Sequence, residues 1–332
     1  MNSEQTRRSA RIAAADMAAT AALLQVGAEL GIDPFLDGGE PFTVADLAGA
    51  ADTPEGPMTE YLAALLAAGL VVTTGDNGHF QAAPDYPNQR NHAGYLCWAF
   101  TANRPFIENA PMFFRDLDGA AEEHQRNPRR VAVSSRWIGT RDFYPAAFDL
   151  IVRSGAGHVA DLGAGAAGLL IKLLSQDHGR TGMALDISES ACAEARKAAE
   201  RAGVAGRLEV IQRSVQSLAD DPSPVAGADV IHAGFVFHDV VGDEETFDAM
   251  LRSCGAALAR DGFLAITDAV PYATDERERR FSALFTYLHA GFMNVRLPTE
   301  KAWIERFRAA GFSHVEVVPH EFPGGRLFIV QK

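Results

Sequence analysis

A doubly wound α/β fold behind a small N-terminal helical domain is what this 332-residue chain predicts. Three observations carry that expectation. Seven short apolar or β-branched runs recur between residues 158 and 330, with helical segments between them. A glycine-rich turn joins the first of those runs to a helix. Upstream, three segments of helical periodicity and a glycine-rich hairpin occupy the first 90 residues.

The chain opens on a polar, arginine-bearing stretch, residues 1–13, that reads as a loose end or a docking arm. Met17 to Ile32 carries apolar residues at helical spacing and ends at Gly31. Thr43 stands in a capping position, with Asp46 in the first turn of a helix through Ala51. Pro57 to Leu70 is a third helix, stopped near Gly69. Val71–Thr74 and His79–Ala82 flank Gly75-Asp76-Asn77-Gly78, a strong hairpin signal. Three helices and a hairpin make a winged helix, assigned to residues 1–90. A helix that reads a DNA groove needs cations and donors for base edges, and Pro57 to Ala68 contains no lysine or arginine. The formal charge of -13 argues the same way. Nucleic acid is therefore not expected as a partner.

Residues 91–145 form a joining region, helical and rich in aromatics such as Tyr95, Trp98, Phe106 and Phe143. Arg104, Arg126, Arg129 and Arg130 are the cations at hand for a substrate carboxylate, and Trp98 with Arg126 is the pair singled out as substrate contacts.

From 146 to 332 strands and helices alternate. The strand segments are 158–162, 182–187, 207–211, 228–234, 262–268, 314–319 and 325–330, which predicts a seven-stranded, largely parallel Rossmann-like sheet closed by an antiparallel hairpin. Ligands in such sheets bind outside the carboxyl ends of the strands. There the chain carries Asp161-Leu162-Gly163-Ala164-Gly165-Ala166-Ala167-Gly168, a G-x-G-x-x-G turn. Two glycines allow a tight bend and close approach to a ligand, and the third allows helix and sheet to pack closely. Asp186 ends the next apolar run, at the distance where an acid reaches ribose hydroxyls.

Asp-x-Gly-x-Gly with that second acid resembles the class I S-adenosylmethionine (SAM) methyltransferases. The resemblance implies SAM as cofactor, with Asp161, Gly163, Gly165 and Asp186 holding it and Ser214 and Val215 beside the adenine. Glu29-Leu30-Gly31-Ile32 and Ala67-Ala68-Gly69-Leu70-Val71 are similar to the N-terminal dimerisation domain of the small-molecule O-methyltransferases, which implies a homodimer formed through that domain.

After the fourth strand comes Phe235-Val236-Phe237-His238-Asp239-Val240, then Asp243 as a helix cap. His238 and Asp239 resemble the His-Asp block of the O-methyltransferases, where the histidine is the general base. A near-neutral pKa suits a histidine to that work. Two departures stand out: Val240 replaces the usual tryptophan, and residues 287–300 lack the usual glutamate-bearing block. Instead, a helix from Glu276 to His289 turns Phe281, Phe285, Leu288 and His289 to one side. Two imidazoles and a carboxylate, His238, His289 and Asp239, are a ligand set for a divalent or trivalent metal, iron or zinc first. That set resembles the metal-dependent C-methyltransferases of 2-oxo acids. The resemblance implies a substrate chelated through its keto and carboxylate oxygens, C3 deprotonated by Asp239 or a metal-bound hydroxide, and methylation of C3. Phe235 and Met293 are expected to line the pocket. The alternative is a metal-free O-methyltransferase of a phenol, with His238 as base.

Composition agrees with a soluble enzyme: 47% hydrophobic and 22% charged residues. Cys97, Cys192 and Cys254 lack metal or redox spacing, there is no signal-peptide pattern and no membrane-length apolar run, so a cytoplasmic protein without membrane contact is expected.

Overall fold

A computed structural model describes residues 3–75 and 78–332, with side chains from residue 11 onward. The chain divides into two compact units: residues 1–114 with 122–140, and residues 115–121 with 141–332. Most of the joining region thus belongs to the first unit, and the change of unit near 140 falls just before the expected start at 146.

In the first unit the leading helix spans Ser3–Leu30, well ahead of the expected start at Met17. Residues 3–13 are therefore helical, not a loose arm. No glycine or proline interrupts them, and Ala, Arg, Glu and Gln are good helix formers. Short helices follow at Asp33–Gly38 and Val44–Ala51. The second has the expected capping box: Thr43 Oγ1 accepts from Asp46 N at 3.2 Å, and Asp46 Oδ2 accepts from Thr43 N at 2.8 Å. The third helix is Glu55–Ala67, and its Leu62 and Leu65 are buried against Leu24, Ile32 and Leu47. Strands β1 (Val71–Thr74) and β2 (His79–Ala82) pair antiparallel, Val71 opposite Ala82 and Thr74 opposite His79. Asp76 and Asn77 of the expected turn lie outside the described residues. The joining region is helical as expected, in pieces that include Tyr86–Cys97, continued by a π-helical turn at Trp98–Ala102, and Pro128–Asp142.

The second unit holds β3 (His158–Leu162), β4 (Thr181–Asp186), β5 (Leu208–Gln212), β6 (Val230–Gly234), β7 (Phe263–Ala269), β8 (His314–Pro319) and β9 (Gly325–Gln331). They form one sheet in the order β5-β4-β3-β6-β7-β9-β8, parallel from β5 through β7 and antiparallel at β9 and β8. Both faces are covered, which is why the strands read as unbroken apolar runs. Ala160, Leu162, Ile231, Ala233, Leu264 and Ile266 pack on one side with Phe247, Trp303 and Phe307. Val159, Ala184, Val230 and Ala265 pack on the other with Leu170, Leu173, Ala195 and Ile151. No described helix is long and apolar enough to cross a membrane.

Candidate functional site

The carboxyl ends of β3, β4 and β5 carry the glycine loop and its acids. Gly163 and Gly165 have φ of +69° and +55°. A side chain at 163 would bring its Cβ within 2.3 Å of Val236 Cγ2, so that glycine answers to sterics as well as to conformation. Gly163 N and Ala164 N donate to the Leu185 carbonyl at 2.7 and 3.1 Å, which ties the loop to β4. Asp186 then closes the turn: its Oδ2 accepts from Gly165 N and its Oδ1 from Ser188 N, both at 2.8 Å. The third glycine does not behave as expected. A Cβ on Gly168 would meet nothing within 4 Å, so close helix–sheet packing does not require it. The left-handed residue at the start of helix Gly168–Gln176 is instead Ala167, φ +56° and fully buried.

Asp161 lies at the end of β3, nearly buried, and its Oδ1 is 2.6 Å from Nδ1 of His232 on β6. Ser214 begins a 3-10 turn at Val215–Ala219, and its carbonyl accepts from Ser217 Oγ at 2.6 Å. The Val215 side chain goes into the hydrophobic core beside Leu218.

The second half of the site follows β6 and β7. Phe235 leaves the sheet with φ +56°, its amide donating to the Thr267 carbonyl at 2.8 Å. A single helical turn, Phe237–Val240, then carries His238 and Asp239. Asp268, fully buried near the end of β7, holds His238 twice: Oδ2 accepts the His238 amide at 3.0 Å and Oδ1 pairs with Nδ1 at 2.7 Å. His238 Nε2 lies 3.5 Å from Asp239 Oδ1, and Asp239 is half exposed while His238 is buried. His289 arrives from helix Arg279–Phe292, as its position in the helical pattern predicts. Its Nδ1 lies 2.7 Å from the Phe285 carbonyl, which can only accept, so Nδ1 carries the proton. Its ring lies against that of Phe285, centroids 4.1 Å apart with the planes tilted by 32°, and stands 5.0 Å from that of His238. One ligand-capable atom from each of His238, Asp239 and His289 lies within 4.8 Å of the other two. The three residues chosen from sequence are thus brought together, and neutral imidazole with carboxylate is a donor set that suits iron or zinc.

Aromatic rings wall this region. Phe235 sits 4.7 Å from Phe143 and 4.8 Å from Phe322, and Phe322 is 5.6 Å from Phe285. Met293 caps the helix that bears His289 and is half-buried. Trp98 and Arg126 belong to the first unit. Sequence reasoning missed Asp268, His232, Phe143 and Phe322 as site residues. Asp268 had a usable signal, an acid at the carboxyl end of a strand run, the same signal that marked Asp161 and Asp186. His232 was a polar residue inside an apolar run. Phe322 had no local signal.

Comparison with known proteins bears on the fold and on the class of the domain. Residues 160–264 match a family model described as "Methyltransferase domain". A 115-residue stretch is 36% identical to the 2,7-dihydroxy-5-methyl-1-naphthoate 7-O-methyltransferase of Streptomyces carzinostaticus, covering 34% of this chain and 32% of that enzyme. The chain therefore spans about a third of that relative's length. The dimethyltransferase RosA of Streptomyces davawensis, which acts on 8-amino-8-demethyl-D-riboflavin, superposes with a TM-score of 0.60 at 18% identity over 100% of this chain and 99% of its own. The mitomycin 7-O-methyltransferase MmcR gives 0.55 at 19% identity, covering 99% and 97%. A structure of PigF with SAH gives 0.56 at 21%, covering all of both chains. Residues 160–264 are thus a class I, SAM-dependent methyltransferase domain. The chain as a whole has the fold of the small-molecule O-methyltransferases, a seven-stranded Rossmann-like sheet with an N-terminal helical domain.

Proposed function

We propose that the protein is a SAM-dependent O-methyltransferase of a small aromatic natural product, with His238 as general base. The observation that carries this reading is the Asp268–His238 pair. Asp268 Oδ1 at 2.7 Å from Nδ1 fixes the ring and its tautomer, so Nε2 is the nitrogen that accepts a proton. SAM supplies an electrophilic methyl group when bound. Asp161, Gly163, Gly165, Asp186, Ser214 and Val215 are assigned to hold it, the Gly165 amide being already bonded to the Asp186 carboxylate and the Gly163 amide to the Leu185 carbonyl. His238 removes the hydroxyl proton of the acceptor while Phe235 and Met293 bound the pocket and exclude water. Trp98 and Arg126 are proposed substrate contacts, and a homodimer through residues 1–90 is the proposed assembly. The naphthoate relative, named for transfer to a phenolic oxygen, supports oxygen as acceptor. The fold itself does not choose: RosA is named for transfer to an amine and MmcR for transfer to oxygen.

One observation favours a second reading, the cluster of His238, Asp239 and His289. Metal-bound histidines characteristically donate their other ring nitrogen to a carboxylate or a carbonyl, and Asp268 and the Phe285 carbonyl stand in those places. These residues could hold iron or zinc, which would polarise the keto group of a chelated 2-oxo acid and acidify its C3 hydrogens. Asp239, exposed beside His238, would then take the C3 proton, and carbon would be the acceptor.

One experiment separates the two. Protein purified without a histidine tag is analysed for metal, then assayed with SAM against dihydroxynaphthoates and 2-oxo acids, with and without a chelator. Methyl transfer to a phenol that survives the chelator and His289→Ala, yet is lost in His238→Ala, supports oxygen. One equivalent of metal, lost in both variants along with chelator-sensitive transfer to a 2-oxo acid, replaces that reading with carbon.

A further inference from the structure

We infer that His232 is a positioning residue of the cofactor site, which holds the Asp161 carboxylate so that its second oxygen receives the cationic amino-acid end of SAM. The inference rests on the reading of Asp161 as a cofactor contact. β3 and β6 are adjacent and parallel, and Asp161 lies directly opposite His232 in their register. The side chains are 6% and 3% exposed, and Oδ1 is 2.6 Å from Nδ1. A strand buried on both faces has no structural need of such a pair. Apolar residues of similar size commonly hold a sheet as well, without the cost of removing a carboxylate from water. The remainder of β6 follows that rule: Val230, Ile231 and Ala233 are all fully buried.

The two carboxylate oxygens have different surroundings. Oδ1 is committed to His232. Oδ2 accepts no hydrogen bond from any described residue, yet it is absent from the sealed polar atoms that lack a partner, so it retains contact with accessible space. A carboxylate with one oxygen pinned and the other open, beside a glycine loop, is a receptor for an ammonium group. His232 fixes the plane of that carboxylate. Gly234 makes room for the ring: a Cβ there would lie 3.3 Å from His232 Cε1. Ala265 faces His232 from β7 and leaves the ring no competing acid on that side.

The test compares five full-length variants, four single and one double, by calorimetric titration with S-adenosylhomocysteine and by steady-state kinetics. His232→Leu keeps the bulk and removes the donor. It is expected to weaken binding about tenfold, the scale of one charge-assisted hydrogen bond, and to raise KM for SAM while kcat at saturation stays within about twofold. His232→Asn places an amide donor where Nδ1 was and is expected to restore binding, whereas His232→Gln, whose amide reaches to the Nε2 position, is not. Adding His232→Leu to Asp161→Asn should cost nothing further. Wild-type binding in His232→Leu, alongside weak binding in Asp161→Asn, overturns the role of His232 and leaves Asp161 in the cofactor site. Wild-type binding in Asp161→Asn removes the reading on which the inference rests. Should His232→Leu fail to fold, the Asn and Gln variants decide: equal affinity in those two overturns the proposal.

Discussion

Two histidine–aspartate pairs stand at the carboxyl edge of one sheet, and their local geometry is nearly the same. In each, a carboxylate oxygen meets Nδ1, at 2.6 Å for Asp161 with His232 and 2.7 Å for Asp268 with His238. Their placement differs. Asp161 and His232 face each other across two strands. His238 lies beyond its strand, with its other nitrogen 3.5 Å from an exposed carboxylate and its ring 5.0 Å from a second imidazole. The same bond therefore serves two ends. Inside the sheet the histidine holds an acid still, and past the edge the acid holds a histidine still. The second arrangement sets the histidine's other nitrogen near a carboxylate and its ring near another imidazole.

The largest expected effect breaks the second pair at its centre. His238→Ala should lower kcat by about 10²- to 10⁴-fold, the range general base catalysis supplies, with SAH affinity unchanged by titration. Loss of SAH binding instead would mean that the two pairs are not functionally separate. Asp268→Asn comes next. It keeps the shape and removes the charge that fixes the His238 ring, so kcat should fall on the order of a hundredfold and its pH profile should shift. A pH profile identical to that of the wild type would show Asp268 to be scaffolding only. A third substitution asks whether the two regions are independent at all. Gly163→Ala forces a left-handed alanine and presses Val236, two residues from His238. It should destabilise the fold by about 1–3 kcal/mol and impair both KM for SAM and kcat. An effect on KM alone would uncouple the loop from the histidine turn.

Much of this was legible along the chain, for reasons that differ by region. Every strand of the sheet lies within about two residues of its expected place, the central ones because burial on both faces writes continuous apolar runs, the edge strand β8 through its β-branched Val315, Val317 and Val318. The capping box at Thr43 and Asp46 is local, and so was read directly. The cofactor half is equally local, since Asp161, the glycines and Asp186 sit within one strand–turn–helix–strand unit. The reaction half is not. Asp268 is 30 residues from His238, and pairing at such a separation leaves no periodic trace; the same holds for His232, which joins the cofactor half from 71 residues beyond Asp161. The helix over residues 3–13 was missed for the opposite reason. Its composition favours a helix, but no apolar face marks it, and a polar stretch without such a face reads equally well as a loose end or a docking arm.

The smallest effect concerns the neighbourhood of the first pair. His320, buried with Nε2 3.4 Å from Thr267 Oγ1, has its pKa lowered to about 4 from an ordinary 6.5. Burial is the main cause, and the electrostatic influence of Arg326 and His232 adds to it. The native state therefore resists a proton that the unfolded chain accepts. Stability contributed by neutral His320 is full above pH 6.5, is lost as pH falls toward 4, and levels off below, a total on the order of 3 kcal/mol. His320→Gln, which cannot titrate, should flatten that limb of the denaturation-midpoint curve relative to wild type while leaving the curve near neutrality parallel. Parallel curves down to pH 4 would show that the wild-type imidazole of His320 takes up its proton without penalty.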